Sequence, residues 1–247
     1  MNTKIPYLFV AVLLFLQSCK KDRTSELPAD TIHKVKAITD VSTGKAWTYE
    51  YDAQNRCIKE WKGNNQARRE YTYSAGSVKE DEYDAAGSLD NTRIYEVTGE
   101  GLAVKTTYVG YAGYITRSFN SNKQRVKEIE YNSSALPVSS SDYYYTGQLL
   151  DSCVTKNGAG VTSLKSVYEY YTDFTNTTAF QNLGLSIYGK GSPLAIKKLN
   201  HYFYDYTTGV LVSEQAFTYT YEKDTQGRIS KAIASGYSSA STTYTYY

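Results

Sequence analysis

Tyr83-Asp84-Ala85-Ala86-Gly87-Ser88-Leu89 is the stretch that decides the fold, because the chain repeats its layout. Tyr51-Asp52-Ala53-Gln54-Asn55-Arg56-Cys57 and Asp224-Thr225-Gln226-Gly227-Arg228-Ile229 follow the same plan. In each, the third residue after the aspartate is Asn or Gly, which tolerate a positive φ, and the fifth is apolar. The layout predicts a tight turn joining two antiparallel strands. Looser copies run from Phe119-Asn120 to Arg125-Val126 and from Tyr204-Asp205 through Gly209-Val210-Leu211, with shorter turns at Ala75-Gly76 and Thr146-Gly147. Turn signals near positions 52, 75, 86, 99, 121, 133 and 147 have the spacing of strands in an antiparallel meander.

The residues between the turns alternate as strands do. Trp47, Tyr49 and Tyr51 share one face, as do Tyr202, Tyr204 and Tyr206, and Phe217, Tyr219 and Tyr221, while Thr48, Glu50, Thr218 and Thr220 take the other. Composition agrees: 27 tyrosines stand against 7 phenylalanines and 2 tryptophans in 247 residues, so any core is built largely from tyrosine. A helical bundle or a disordered tail does not fit that aromatic content. The fold class expected is all-β: an antiparallel meander of Tyr-rich hairpins forming a large curled sheet or a barrel-like domain. Lys and Arg total 27 against 25 Asp and Glu, and a net charge of +2 gives no reason to expect nucleic acid as a partner.

The N-terminus carries an address. Lys4 precedes an apolar run from Tyr7 to Leu16, too short for a bilayer that needs about 20 residues, and Leu16-Gln17-Ser18-Cys19 follows at once. This is the pattern of a signal peptide. Its last four residues resemble the lipobox of bacterial lipoproteins, in which the cysteine is acylated and becomes the mature N-terminus. The resemblance implies a cleaved signal peptide at 1–18, a lipid anchor on Cys19 with a polar tether through residue 30, and one β-meander domain at 31–247. Lys20 stands where an aspartate is the familiar inner-membrane retention signal, so the resemblance implies the outer membrane, including its outer surface. Membrane association is expected through that N-terminal lipid.

The hairpins resemble two families. Tyr-Asp followed by Gly-Arg-Ile is similar to the YD repeats of RHS-type bacterial surface proteins. A lipobox, a tether and a Tyr-rich meander ending in Tyr219-Thr220-Tyr221 and Gly227-Arg228-Ile229 resemble more closely a group of bacterial lipoproteins of unknown function with a porin-like fold. The stretch from Asn182-Leu183-Gly184 to Lys190-Gly191-Ser192-Pro193 before a new strand resembles that group too. The likeness implies a porin-like domain and no catalytic residues. Lys79-Glu80-Asp81-Glu82 and Lys127-Glu128-Ile129-Glu130 place charge on both faces of their strands, and mid-plane charges facing lipid cost up to about 2–4 kcal/mol each. A water-soluble barrel held by a lipid is therefore expected rather than a membrane-spanning one.

Near-motifs are few. Gly184-Leu185-Ser186-Ile187-Tyr188-Gly189-Lys190 matches the start of a phosphate-binding loop, but Gly191 replaces its Ser or Thr and Pro193 follows, which argues against a nucleotide site. His33 and His201 lack partners at metal-ligand spacing, and Glu80, Asp81, Glu82 and Asp84 lack a calcium-loop pattern. No Gly-x-Ser-x-Gly elbow is present. No cofactor, metal or enzymatic activity is expected. Cys57 and Cys153 are expected as free thiols, with a disulfide between them as the alternative. The stretch from Thr172 to Lys198, carrying Phe180, Leu183, Leu185 and Ile187, is the longest interruption of the meander. It is read as a plug finishing the core, with a ligand lid as the alternative. The expected function is a noncatalytic envelope module whose tyrosines bind a glycan, lipid or protein; a structural envelope part is the alternative.

Overall fold

Residues 32–63, 67–236 and 239–247 are described by the computed structural model of the chain. Among them are sixteen strands: β1 (Val35–Asp40), β2 (Ala46–Tyr51), β3 (Cys57–Lys62), β4 (Arg68–Ser74), β5 (Ser77–Tyr83), β6 (Leu89–Val97), β7 (Ala103–Tyr108) and β8 (Tyr111–Phe119) come first. Then follow β9 (Arg125–Tyr131), β10 (Pro137–Thr146), β11 (Leu149–Asn157), β12 (Thr162–Thr175), β13 (Leu194–Tyr204), β14 (Leu211–Lys223), β15 (Ile229–Gly236) and β16 (Ala240–Tyr246). Each strand pairs antiparallel with its neighbours in sequence, and β1 pairs with β16 to close the barrel. Closure removes both sheet edges, so no strand is left with a row of unpaired backbone groups. The described strands form one barrel, while the expected signal peptide, Cys19 and tether lie outside the described residues.

The repeated turns are built as their residues require. Asn55, Gly87 and Gly227 all have positive φ, and the preceding aspartates hold the turn amides: Asp84 Oδ1 accepts from the N–H groups of Ala86 and Ser88, at 2.8 and 2.9 Å. The apolar residue after each turn behaves differently, however. Cys57 and Ile229 are fully buried, whereas Leu89 is 57% exposed. An up-and-down meander puts alternate turns on opposite rims. The turns at Asp52 and Asp224 lie on the rim that the plug fills, and the turn at Asp84 lies on the other.

Strand alternation sorts the charges seen in the sequence. On β5, Val78, Glu80 and Glu82 face inward beside Tyr71 and Arg69 of β4 and Arg93 and Tyr95 of β6, while Lys79 and Asp81 face outward and pair at 2.7 Å. The outer wall carries such pairs around most of its circumference, including Lys59–Glu70 at 3.2 Å, Glu96–Lys105 at 3.1 Å, Lys156–Asp142 at 3.4 Å and Lys231–Glu222 at 2.9 Å. The aromatic series is split as well. Phe217, Tyr219 and Tyr221 point inward, half-buried, but Tyr202 lies outward between Lys165 and Glu214, and Tyr206 falls beyond the end of β13.

Candidate functional site

The strands on either side of the long connection extend further than expected, leaving residues 176–193 between β12 and β13. Two short 3-10 turns, Phe180–Leu183 and Ser186–Tyr188, fold this segment into the barrel end. It is tied down by hydrogen bonds from both its backbone and the Thr177 side chain. Cys57 N–H donates to Gly184 O at 3.0 Å, Lys190 N–H donates to Lys123 O at 2.9 Å, and Ile229 N–H donates to Thr177 Oγ1 at 2.9 Å. Gly184 sits at φ 67°, and a Cβ there would come within 2.5 Å of Cys57 N, so only glycine fits against β3. Asn182, buried, accepts from His33 N–H at 2.9 Å and so ties the N-terminal approach to the same segment.

The four apolar residues of this segment do not act alike. Leu185 and Ile187 are buried among Val35, Tyr49, Cys57, Tyr71, Val78, Tyr95 and Ala103, and Leu183 packs at the margin of that cluster. Phe180 is 42% exposed, contrary to the expectation that it packs as part of the plug. Within the 3-10 turn that buries Asn182, the Phe180 ring stays partly in solvent and packs on Tyr188, 5.6 Å between centroids, at the margin of that cluster. Phe180→Ala should therefore lower stability by no more than about 1.5 kcal/mol, half or less of what a fully buried ring would cost. Chemical denaturation of the two proteins checks this.

Below the plug, a chain of hydrogen bonds joins it to charges on the barrel wall. Tyr95 OH donates to Glu80 Oε2 at 2.6 Å and so receives the hydrogen bond from Tyr188 OH at 2.9 Å. Glu80, 1% exposed, also pairs with the Arg93 guanidinium and lies 3.5 Å from Arg69 Nε. Arg69 reaches Glu60 and Glu82, each at 3.4 Å, and Arg93 reaches Glu82 at 3.2 Å. Burial pushes the Glu60 carboxyl above its ordinary range, against the pull of Arg69 and Lys62. Burial works against the Arg69 charge too, but the carboxylates of Glu60, Glu80 and Glu82 outweigh it and raise its pKa. Three carboxylates meet Lys62, Arg69 and Arg93, and the network is self-neutralised. Asp81 faces the outer wall and Asp84 lies in the turn, so the acidic run from Glu80 to Asp84 does not converge on one point.

The wall opposite this network is aromatic. Tyr143 of β10, Tyr168 of β12, Tyr219 of β14 and Tyr244 of β16 face inward and stay partly accessible, in contrast to the buried Tyr49, Tyr71 and Tyr95. Arg125 stacks on Tyr143, its guanidinium carbon 4.6 Å from the ring centroid, and binds Glu128 at 2.8 Å. A cavity of about 90 Å³ lies where Arg125, Tyr143 and Tyr145 meet Phe180, Tyr188 and Ser192 of the plug. On β13, His201 Nδ1 is 2.9 Å from Ser166 Oγ, and burial holds its pKa below the usual range. His33 is remote from it, at the plug. This aromatic wall was not legible in the sequence, because alternation alone does not say which tyrosines a plug covers.

Cys57 and Cys153 are both free. They stand on β3 and β11, on opposite sides of the sixteen-strand ring. Burial pushes the Cys57 thiol up to about 12 and raises that of Cys153 as well. Thiol titration of the folded domain should find Cys57 silent, and the unfolded, unreduced domain should expose two reactive thiols; a count of zero after unfolding would mean a bridge.

No family model and no curated protein matches the chain in sequence. Solved structures do match its fold. A porin-like protein from Bacteroides uniformis superposes with a TM-score of 0.66 at 14% identity, covering 88% of this chain and 98% of that one. A second, from Bacteroides vulgatus, gives 0.61 at 12% identity over 87% and 99%. The sixteen-strand closed meander is thus the porin-like barrel fold.

Proposed function

We propose that the chain is a noncatalytic barrel of the bacterial cell envelope, held to the outer membrane by an acyl group on Cys19 and binding a ligand in its tyrosine-lined lumen. The observation that carries the anchored, non-spanning half of this reading is the ion-paired outer wall. A porin fold in a bilayer presents an apolar band about 25 Å tall to lipid. Here Lys59, Glu70, Lys79, Asp81, Glu96, Lys105, Lys156 and Asp142 occupy that face. Each such pair adds at most about 1 kcal/mol to stability in water. In hydrocarbon the same groups would be a net cost. The plug supports the reading as well, because it fills one end of a barrel whose N-terminal approach, at His33, is bonded to it.

The binding half rests on the partly accessible rings of Tyr143, Tyr168, Tyr219 and Tyr244, which offer stacking faces and hydroxyls of the kind that glycans, lipids and peptides use. The domain from Thr31, lacking the lipid, should stay in solution without detergent. Labelled palmitate should enter the full-length protein in bacteria and be lost in Cys19→Ala. Equal labelling of both would remove the anchor, and a domain that needs detergent would restore a spanning barrel. A thermal-shift screen of the same domain against glycans should raise Tm by mass action for any tight ligand.

A further inference from the structure

Most of the large apolar side chains left exposed lie at one end of the barrel, although Ile32, Phe180 and Tyr247 are exposed at the plug end, Tyr144 near it and Ile94 on the wall. Six of the turns on the rim opposite the plug are wholly described, and five of them present such a residue at or next to the tip: Val41, Leu89, Val109, Leu136 and Val210, between 52% and 63% exposed. Tyr111 and Tyr206 stand beside two of these tips, at 60% and 61%. The turns on the plug rim carry instead Arg56, Glu100, Lys123 and Arg228. Single exposed apolar residues are ordinary, but a ring of them around one mouth is not.

We infer that this rim docks on the surface of a phospholipid bilayer, its tips entering the interfacial layer. Three observations select a bilayer over a protein partner. The tips sit on separate hairpins spread around the circumference, so they form no continuous patch; a flat, fluid surface can meet all of them at once. The rim is also poor in free charge. Its six described turns carry Asp40, Lys45, Asp84 and Asp205, with the exposed Asp90 beside Leu89, and the three turn carboxylates are turned back onto their own loops: Asp40 accepts from Ser42 N–H, Asp84 from Ala86 and Ser88 N–H, and Asp205 from Thr207 and Thr208 N–H. Those bonds also satisfy turn amides that would otherwise be costly to take out of water. Lastly, the ion-paired wall above the tips sets a limit on depth, as it does for helices that lie in the interface without crossing.

The inference deepens the anchored-barrel reading and rests on it for one further point. The chain from Cys19 to Ile32 can span at most about 45 Å. Strands of about ten residues, tilted as in a barrel, rise on the order of 25 Å. The tether is therefore long enough for the acyl group and the far rim to rest on the same bilayer.

The test uses the unlipidated domain from Thr31, which contains every strand of the closed barrel, and flotation with vesicles of pure phosphatidylcholine. The domain should float with the vesicles, and as well in 1 M NaCl as in dilute buffer, because no basic patch is involved. A triple change at the tips, Val109→Asp, Leu136→Asp and Val210→Asp, should weaken flotation about tenfold or more with an unchanged Tm, since all three side chains are already in water. Phe180→Asp, at the opposite end, should leave flotation as it is. A domain that fails to float overturns the inference without touching the Cys19 reading, which palmitate labelling tests separately. Equal flotation of the triple variant, or a concentration-dependent dimer abolished by the same three changes in place of vesicle binding, also overturns it.

Discussion

Arg93→Ala should cost about 3–5 kcal/mol, the ordinary result of removing one partner from a buried ion pair. For a domain of this size that is a drop in Tm of about 6–20 °C. The reason lies in what stays behind. Glu80 is 1% exposed, and without Arg93 the cation left beside it among the described residues is Arg69, whose Nε is 3.5 Å away and whose guanidinium is already shared with Glu60 and Glu82. The guanidinium also lies over the Tyr108 ring, 5.6 Å from its centroid, and the alanine cannot replace that stacking. The pair itself is not expected to be the source of stability. Replacing both partners together, as Glu80→Gln with Arg93→Met, should recover most of the loss, since burying two charges costs about as much as their attraction returns. Urea denaturation of the two variants decides it: a double variant as unstable as the single would mean that the guanidinium acts by packing rather than by charge.

Ile187→Ala should be nearly as damaging, at about 2–5 kcal/mol. Ile187 is 3% exposed and belongs to the buried cluster that the plug forms with Val35, Tyr49, Cys57, Tyr71 and Tyr95. Little can collapse into the space it leaves, because the walls around it are held by strand hydrogen bonds. The contrast with Phe180→Ala is the informative part. If 176–193 were a lid resting loosely on the barrel, both substitutions would leave Tm nearly unchanged. If it is part of the core, Ile187→Ala destabilises severely and Phe180→Ala mildly. Differential scanning calorimetry of the pair separates the two cases, and a large effect of Phe180→Ala alone would contradict the exposure of its ring.

Much of the fold is legible before any coordinates. Asp52, Asp84 and Asp224, each with Asn or Gly three residues on, place their turns through local chemistry alone: a short carboxylate bonds the amides two and four residues ahead, and a residue that tolerates positive φ closes the loop. The period of two between turns then leaves an antiparallel meander as the arrangement that satisfies every strand. Local patterns of this kind need no knowledge of the rest of the chain.

Strands, turns, a tyrosine-based core and the division of Lys79-Glu80-Asp81-Glu82 between two faces all follow from the order of the residues. What each face meets follows from the closed barrel instead. Closure depends on β1 finding β16, a pairing between Val35 and Tyr246 that no local pattern encodes. Turns with the same layout landed on opposite rims, so Cys57 and Ile229 are buried while Leu89 is left in water. Glu80 is a core residue and Asp81 a surface one, although they are adjacent. Phe180 and Ile187 lie seven residues apart in one connection, yet only the docking of that connection into the barrel decides which is covered. The physical reason is the same in each case: hydrogen bonds and φ preferences act within a few residues, whereas burial is set by whatever wall the closed barrel brings opposite.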